Sequence, residues 1–293
     1  MPRDPSPVPL RRLAERGRRA LLPLSDGWGS ATARARALPD FLICGAQRAG
    51  TTSLFKALAQ HPAATGPTLR KGVHFFDTGY RDDLDRYRAH FPTRTRLRAR
   101  GGRPRVRVFE SSPYYLFHPL AAERIARDLP WVRVVVILRD PVERAYSAHA
   151  HESARGFEDQ PFEKALELEP QRLAGEEERL AADPAYRSHS HQHHAYTARG
   201  RYVDQLVRME RHLGRDRVHV VDHADLFDGT PRALAEIERF VGLRPGPERS
   251  PGRHNARVRD RMPESLRDEL AARFADSDAR LAEWWGRTPS WRR

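Results

Sequence analysis

Strands that alternate with helices predict a single α/β domain, with a mainly parallel central sheet flanked by helices. Two runs carry that prediction. Residues 41–44 (Phe-Leu-Ile-Cys) and residues 131–138, a Val/Ile/Leu run with one Arg, are continuously apolar, as parallel strands buried on both faces are. The third observation is that helical periodicity directly follows each run. After the first, Leu54, Phe55 and Leu58 share one face of a helix predicted over 51–60, which His61-Pro62 stops. After the second, Pro141 opens a helix, a position where proline is favoured. Between them, Val106, Val108 and Glu110 alternate into Ser111-Ser112-Pro113 as a strand and turn, and 119–129 reads as a helix. Further along come a strand at 217–221, a helix at 231–241 carrying Ala233, Leu234, Ile237 and Phe240, and one long helix over 264–285.

Residues 1–40 hold eight Arg and four acids without sustained periodicity, which predicts a basic flexible arm ahead of a domain spanning 41–293. Within that domain, 158–195 reads as an acidic and His-rich insertion. Its first part, 158–183, carries nine acids against three bases, the pattern of a solvated helical face.

The chain has 293 residues, with 52 Lys+Arg against 39 Asp+Glu, a formal +13. A basic excess first suggests nucleic acid, but no helix-turn-helix, finger or aromatic RNA platform is legible. The excess is also dispersed, with seven Arg and no acid in 94–107 alone. No run approaches the ~18–20 apolar residues of a membrane span, and the N-terminus lacks the apolar core of a secretory signal. The single cysteine, Cys44, excludes an intrachain disulfide and fits a reducing interior. The expectation is a cytoplasmic protein.

Chemistry concentrates in two places. After the first strand comes Gly45-Ala46-Gln47-Arg48-Ala49-Gly50-Thr51-Thr52-Ser53, and then a helix. Strand, glycine loop and helix N-terminus together turn backbone N–H groups toward an anion, which makes this a P-loop-like loop. Thr51 occupies the lysine position of a nucleoside-triphosphatase loop, and the basic residue, Arg48, lies three residues earlier. A P-loop-type kinase is therefore an alternative that lacks its lysine, as a basic nucleic-acid-binding module is one that lacks its motif. The central strand ends in Arg139-Asp140-Pro141-Val142-Glu143-Arg144-Ala145-Tyr146-Ser147, placing Arg139 and Ser147 at the sheet edge where open α/β sheets bind ligands. Two phosphate sites, one after each strand, call for a nucleotide phosphorylated at two places.

These two elements, with Val73-His74-Phe75-Phe76-Asp77 between them, resemble the sulfotransferases that use PAPS (3′-phosphoadenosine 5′-phosphosulfate). The resemblance is nearest the heparan-sulfate-type carbohydrate branch and its bacterial relatives. It runs from about Phe41 to the C-terminal Gly286-Arg287-Thr288-Pro289-Ser290-Trp291. It implies a PAPS-dependent O-sulfotransferase acting on a small-molecule or saccharide acceptor, with no metal, nucleic acid or membrane span involved. Residues 45–53 would form the phosphosulfate loop, with Arg48 standing for the usual lysine and Ala49, Gly50, Thr51, Thr52 and Ser53 beside it. Arg139 and Ser147 would hold the 3′-phosphate. Arg257 and Arg259 fall where the family brings a basic loop over the nucleotide.

Two departures matter. The acidic residue that the branch places just before V-H-F-F-D is Gly72 here, and the lysine of its E-K-T/S-P element is replaced by Ser111. Glycine accepts no proton, so the general base moves to His74, whose unperturbed pKa of about 6.5 suits the task. Asp77 and Glu110 are the other candidates, and each is also placed to orient the histidine or an arginine. Lys71 is a candidate to stabilise the sulfuryl group. His189, His191, His193 and His194 have the look of a metal site, but without Cys or a carboxylate in register they read as a polar loop near the acceptor. Tyr196, Gly200 and Tyr202 match the family's Y-x-x-x-G-x-Y stretch, and the two tyrosines read as core rather than acceptor contacts.

Overall fold

The structure, a computed structural model, describes residues 29–68, 70–81, 83–99, 105–227, 232–246, 251–252 and 260–293. Its centre is one five-stranded sheet in the order β2-β3-β1-β4-β5. The strands are β1 (Phe41–Gly45), β2 (Ala64–Thr65), β3 (Arg107–Ser111), β4 (Arg133–Leu138) and β5 (Val218–Asp222). All four pairings are parallel. β1 is fully buried along its length, and β4 is buried from Val134 onward. That is why both read as unbroken apolar runs, since helices cover both faces of a parallel sheet.

Helices Thr51–Ala59, Ala121–Asp128, Pro141–Ser153 and Tyr202–Leu213 pack on the sheet or beside it. Asp140 caps the third of these, its carboxylate accepting from Val142 N at 2.9 Å with Pro141 in the first turn. Asx capping followed by proline fixes where β4 stops and the helix starts.

Four expectations change. The arm is not free up to residue 40: Ala33 is buried, Arg36 donates to Phe91 O at 2.6 Å, and Asp40 accepts from Val108 N at 2.8 Å. Residues 1–28 lie outside the described residues. β4 starts at Arg133 rather than 131, because Trp131 is half exposed and donates its Nε1–H to Pro39 O at 3.1 Å. The helix expected over 264–285 is two, Glu264–Arg273 and Ala275–Trp285, meeting at Phe274, whose ring is buried in a cluster with Val142, Ala145 and Tyr196.

The acidic insertion forms helices Phe162–Leu173 and Glu176–Ala182, and it is more than a solvated face. Glu158 accepts from Arg172 at 2.6 Å and from Tyr196 OH at 2.9 Å, while Glu169 accepts from the backbone N–H groups of Thr197 and Ala198 at 2.8 Å each. Buried carboxylates persist only when so paired, and these tie the insertion to the sheet's helical layer.

Candidate active site

Because every strand is parallel, the C-terminal ends of β1, β3, β4 and β5 lie along one edge, and the loops after them enclose a cavity of about 460 Å³. Arg48, Lys71, His74, Arg139 and Ser147 all line it, together with Gly50, Thr51, Thr52 and Ser53. Among the described residues, no Asp or Glu lines it.

One wall gathers cations. Gly50 sits at φ +104 as the cap of helix Thr51–Ala59, and a Cβ there would lie 2.5 Å from the Phe227 ring, so only glycine fits. The first turn carries no acidic residue, which leaves the positive helix terminus facing the loop. Arg48, itself at φ +69, donates from Nε to Ser147 Oγ at 3.1 Å. Arg139 donates to Arg48 O at 3.3 Å and to Glu143 Oε2 at 3.3 Å. The two motifs, 91 residues apart, therefore form one site. Lys71 completes the wall, its Nζ donating to Thr51 Oγ1 and Thr52 Oγ1 at 3.0 Å each. An ammonium from a different segment thus stands at the helix mouth where the loop itself offers Thr51. Burial pushes the Lys71 pKa down to about 7, with Glu110 pulling it up and Arg48 pushing it further down.

A second part of the lining holds His74. Its φ of +56 is costly for a residue with a Cβ, about 1–2 kcal/mol, so the neighbourhood must impose it. Nδ1 pairs with Asp77 Oδ2 at 2.8 Å. Nε2 has no partner among the described residues, and the side chain is 44% exposed while that of Asp77 is fully buried. Burial pulls the imidazole pKa down, but the hydrogen bond and charge of Asp77, with Glu110 behind, raise it above its usual value. Gly72 has a steric cause: a Cβ there would lie 2.4 Å from Ser111 O and 2.8 Å from Ser112 Oγ, so a carboxylate side chain has no room.

As candidate bases, Asp77 and Glu110 are corrected. Glu110 is fully buried, lies off the cavity, and is bonded to Tyr87 OH, Tyr115 OH, Ser112 Oγ and Val73 N at 2.9, 2.8, 2.6 and 2.8 Å. Asp77 is spent on His74 and Thr78. Neither lines the cavity. Ala49 is buried too, and its carbonyl faces His223 Nδ1 at 2.9 Å. Arg257 and Arg259 lie outside the described residues.

The His run forms a short helix, His189–His193, capped by Ser188. Its members are engaged separately: His191 with Tyr114 OH at 2.7 Å, His193 with Glu152 at 2.9 Å, and His194 with Phe157 O at 2.8 Å. Of the four, only His193 lines the cavity. Tyr196 and Tyr202 are fully buried, and Tyr202 OH donates to Arg139 O at 2.7 Å, supporting the cationic wall from below.

Among the lining residues that sequence reading missed are Tyr114, Arg155, Arg199, His223 and Phe227. His223 and Phe227 follow β5 at the same sheet edge, so the rule that ligands sit at strand C-termini was a usable signal. Arg199 gave none: it is buried, donates to Gln47 Oε1 and to the carbonyls of His191 and Gln192, and lies over the rings of Tyr114 and Phe117.

A parallel sheet whose edge gathers cations at two strand ends, beside a carboxylate-held histidine, is the architecture of a P-loop-like group-transfer enzyme. A family model described as "Sulfotransferase domain" matches residues 38–280, and the chain belongs to that family. It is similar to the bifunctional heparan sulfate N-deacetylase/N-sulfotransferase 1 of Caenorhabditis elegans, 28% identical over 213 residues, covering 71% of this chain and 22% of that protein. The bifunctional heparan sulfate N-deacetylase/N-sulfotransferase 2 of Bos taurus is 27% identical over the same length and coverage. The chain thus spans about a fifth of the length of these relatives. The solved sulfotransferase of Alicyclobacillus acidocaldarius is 29% identical with a TM-score of 0.62, covering 88% of this chain and all of that one. Among the described residues, no helix is long and apolar enough to cross a membrane.

Proposed function

We propose that the protein moves a sulfuryl group from PAPS to a hydroxyl of a carbohydrate, glycolipid or glycosylated natural product. One observation carries this reading: cations from two strand ends meet in a cavity that no carboxylate lines among the described residues, and that cavity also holds His74, whose Nε2 has no partner among those residues. PAPS supplies an activated sulfuryl group and two anionic ends. Arg48, Lys71, Thr51, Thr52 and the N-terminus of helix Thr51–Ala59 hold the phosphosulfate end, and Arg139 with Ser147 holds the 3′-phosphate.

In-line transfer of this kind depends on position and on neutralising charge. Arg48 and Lys71 keep the departing phosphate oxygen's charge stabilised. His74 Nε2 takes the acceptor's proton as the acceptor oxygen bonds to sulfur and the sulfur–phosphate oxygen bond breaks. Asp77 on Nδ1 fixes the tautomer with Nε2 bare, and it stabilises the imidazolium afterwards, the part a carboxylate plays behind a catalytic histidine. A reducing cytoplasm suits Cys44, an unpaired and fully buried thiol.

The test is incubation with radiolabelled PAPS and a panel of saccharide, glycolipid and aryl hydroxyls beside matched amines, with products read by mass spectrometry. The expected product is a sulfate ester. Label found only on amines overturns the hydroxyl assignment, and no transfer to any member overturns the carbohydrate reading.

A further inference from the structure

We infer that Glu110 is the positioning residue that holds His74 in its working orientation. Its carboxylate gathers the backbone N–H groups of three consecutive residues, directly or through one hydroxyl. Val73 N donates to Oε2 at 2.8 Å. His74 N donates to Ser112 Oγ at 3.0 Å, and that hydroxyl donates on to Oε2 at 2.6 Å. Phe75 N donates to Tyr115 OH at 2.8 Å, and that hydroxyl donates on to Oε1 at 2.8 Å. Tyr87 OH adds a fourth bond, to Oε1 at 2.9 Å.

Successive N–H groups turn to one side when a left-handed residue sits among them, and such a concavity binds an anion. The left-handed residue is His74, at φ +56, and the anion is the protein's own carboxylate. Two further contacts seat the segment: Ser111 N donates to Lys71 O at 3.1 Å, and Gly72 packs where any Cβ would strike Ser111 O. A carboxylate is the group that fits, because all four partners donate and it only accepts. Glu110 thus acts through the backbone: it holds His74 in the conformation that the cavity and Asp77 require.

This role rests on His74 being the base, and the test separates the two. Ser112→Ala removes only the relay to His74 N, and Glu110→Gln removes the anion. Transfer from radiolabelled PAPS to unsulfated heparosan oligosaccharides gives kcat, calorimetry gives the affinity for the product nucleotide PAP, and a thermal melt confirms folding. Each folded variant is expected to lose about tenfold or more in kcat, the worth of one buried hydrogen bond, with PAP affinity within about twofold of wild type. Should Glu110→Gln fail to fold, Ser112→Ala decides. Wild-type kcat in Ser112→Ala, or a loss of PAP affinity as large as the loss of kcat, overturns the positioning role. His74→Ala that retains turnover overturns instead the base assignment beneath it.

Discussion

The two walls of the cavity are built on opposite terms. On the cationic wall, Arg48 and Lys71 donate to hydroxyls, and Arg139 divides itself between a carbonyl and Glu143. The hydroxyls and the carbonyl give way to an incoming phosphate at little cost, so this wall is completed by its ligand. On the histidine wall, His74 is locked by Asp77 at its ring and by Glu110 through its backbone. That wall is finished before anything binds. One half of the site is poised for exchange and the other is preorganised for proton transfer, and the two should fail in different ways when altered.

The sharpest break is His74→Ala. It should cut kcat by about 10²–10⁴, the range for a lost general base, while leaving PAP affinity unchanged by calorimetry. A parallel loss of affinity would merge the two walls and end the comparison. Arg48→Ala should do the reverse, weakening PAP binding by about 10–10², the value of a charge-assisted hydrogen bond or two, and unchanged affinity would remove Arg48 from the anion site.

Asp77→Asn tests the lock more finely. Asp77 raises the His74 pKa, and the base works only when neutral, so the acid limb of kcat lies above the ordinary histidine value. Losing the carboxylate should move that limb to lower pH while lowering the plateau. An unmoved limb would show that another group sets it. The smallest effect concerns Lys71. With its pKa at about 7, the free protein loses this charge as pH rises through neutrality, so PAP affinity should decline from pH 6 to pH 8 by at most about tenfold. Lys71→Met should flatten the part of that decline that is not the nucleotide's own titration.

How much of this was legible depended on how local each cause was. β1 and all but the start of β4 read correctly because burial on both faces leaves a continuous apolar run, and Pro141 marked the next helix. β2 was invisible because two residues carry no periodicity. The break at Phe274 has neither proline nor glycine to announce it, only a ring buried against a cluster far along the chain. In the site, the residue types announced Arg48, Arg139 and His74. What the sequence hid was tertiary: Lys71 reaching the Thr51 and Thr52 hydroxyls, Glu110 withdrawn from the cavity, and Gly72 made obligatory by Ser111 O. The histidine run read as a polar loop, and its tertiary partners Tyr114, Glu152 and Phe157 were hidden in the same way.

The central claim is that two strand ends hold two anionic groups of one nucleotide. Calorimetric titration of the wild type and Arg139→Ala with PAP and with 5′-AMP, which lacks the 3′-phosphate, tests it most directly. Wild type should bind PAP about tenfold or more tightly than 5′-AMP, and Arg139→Ala should bring the two affinities together. Equal affinities in the wild type, or a preference that survives in Arg139→Ala, would contradict it.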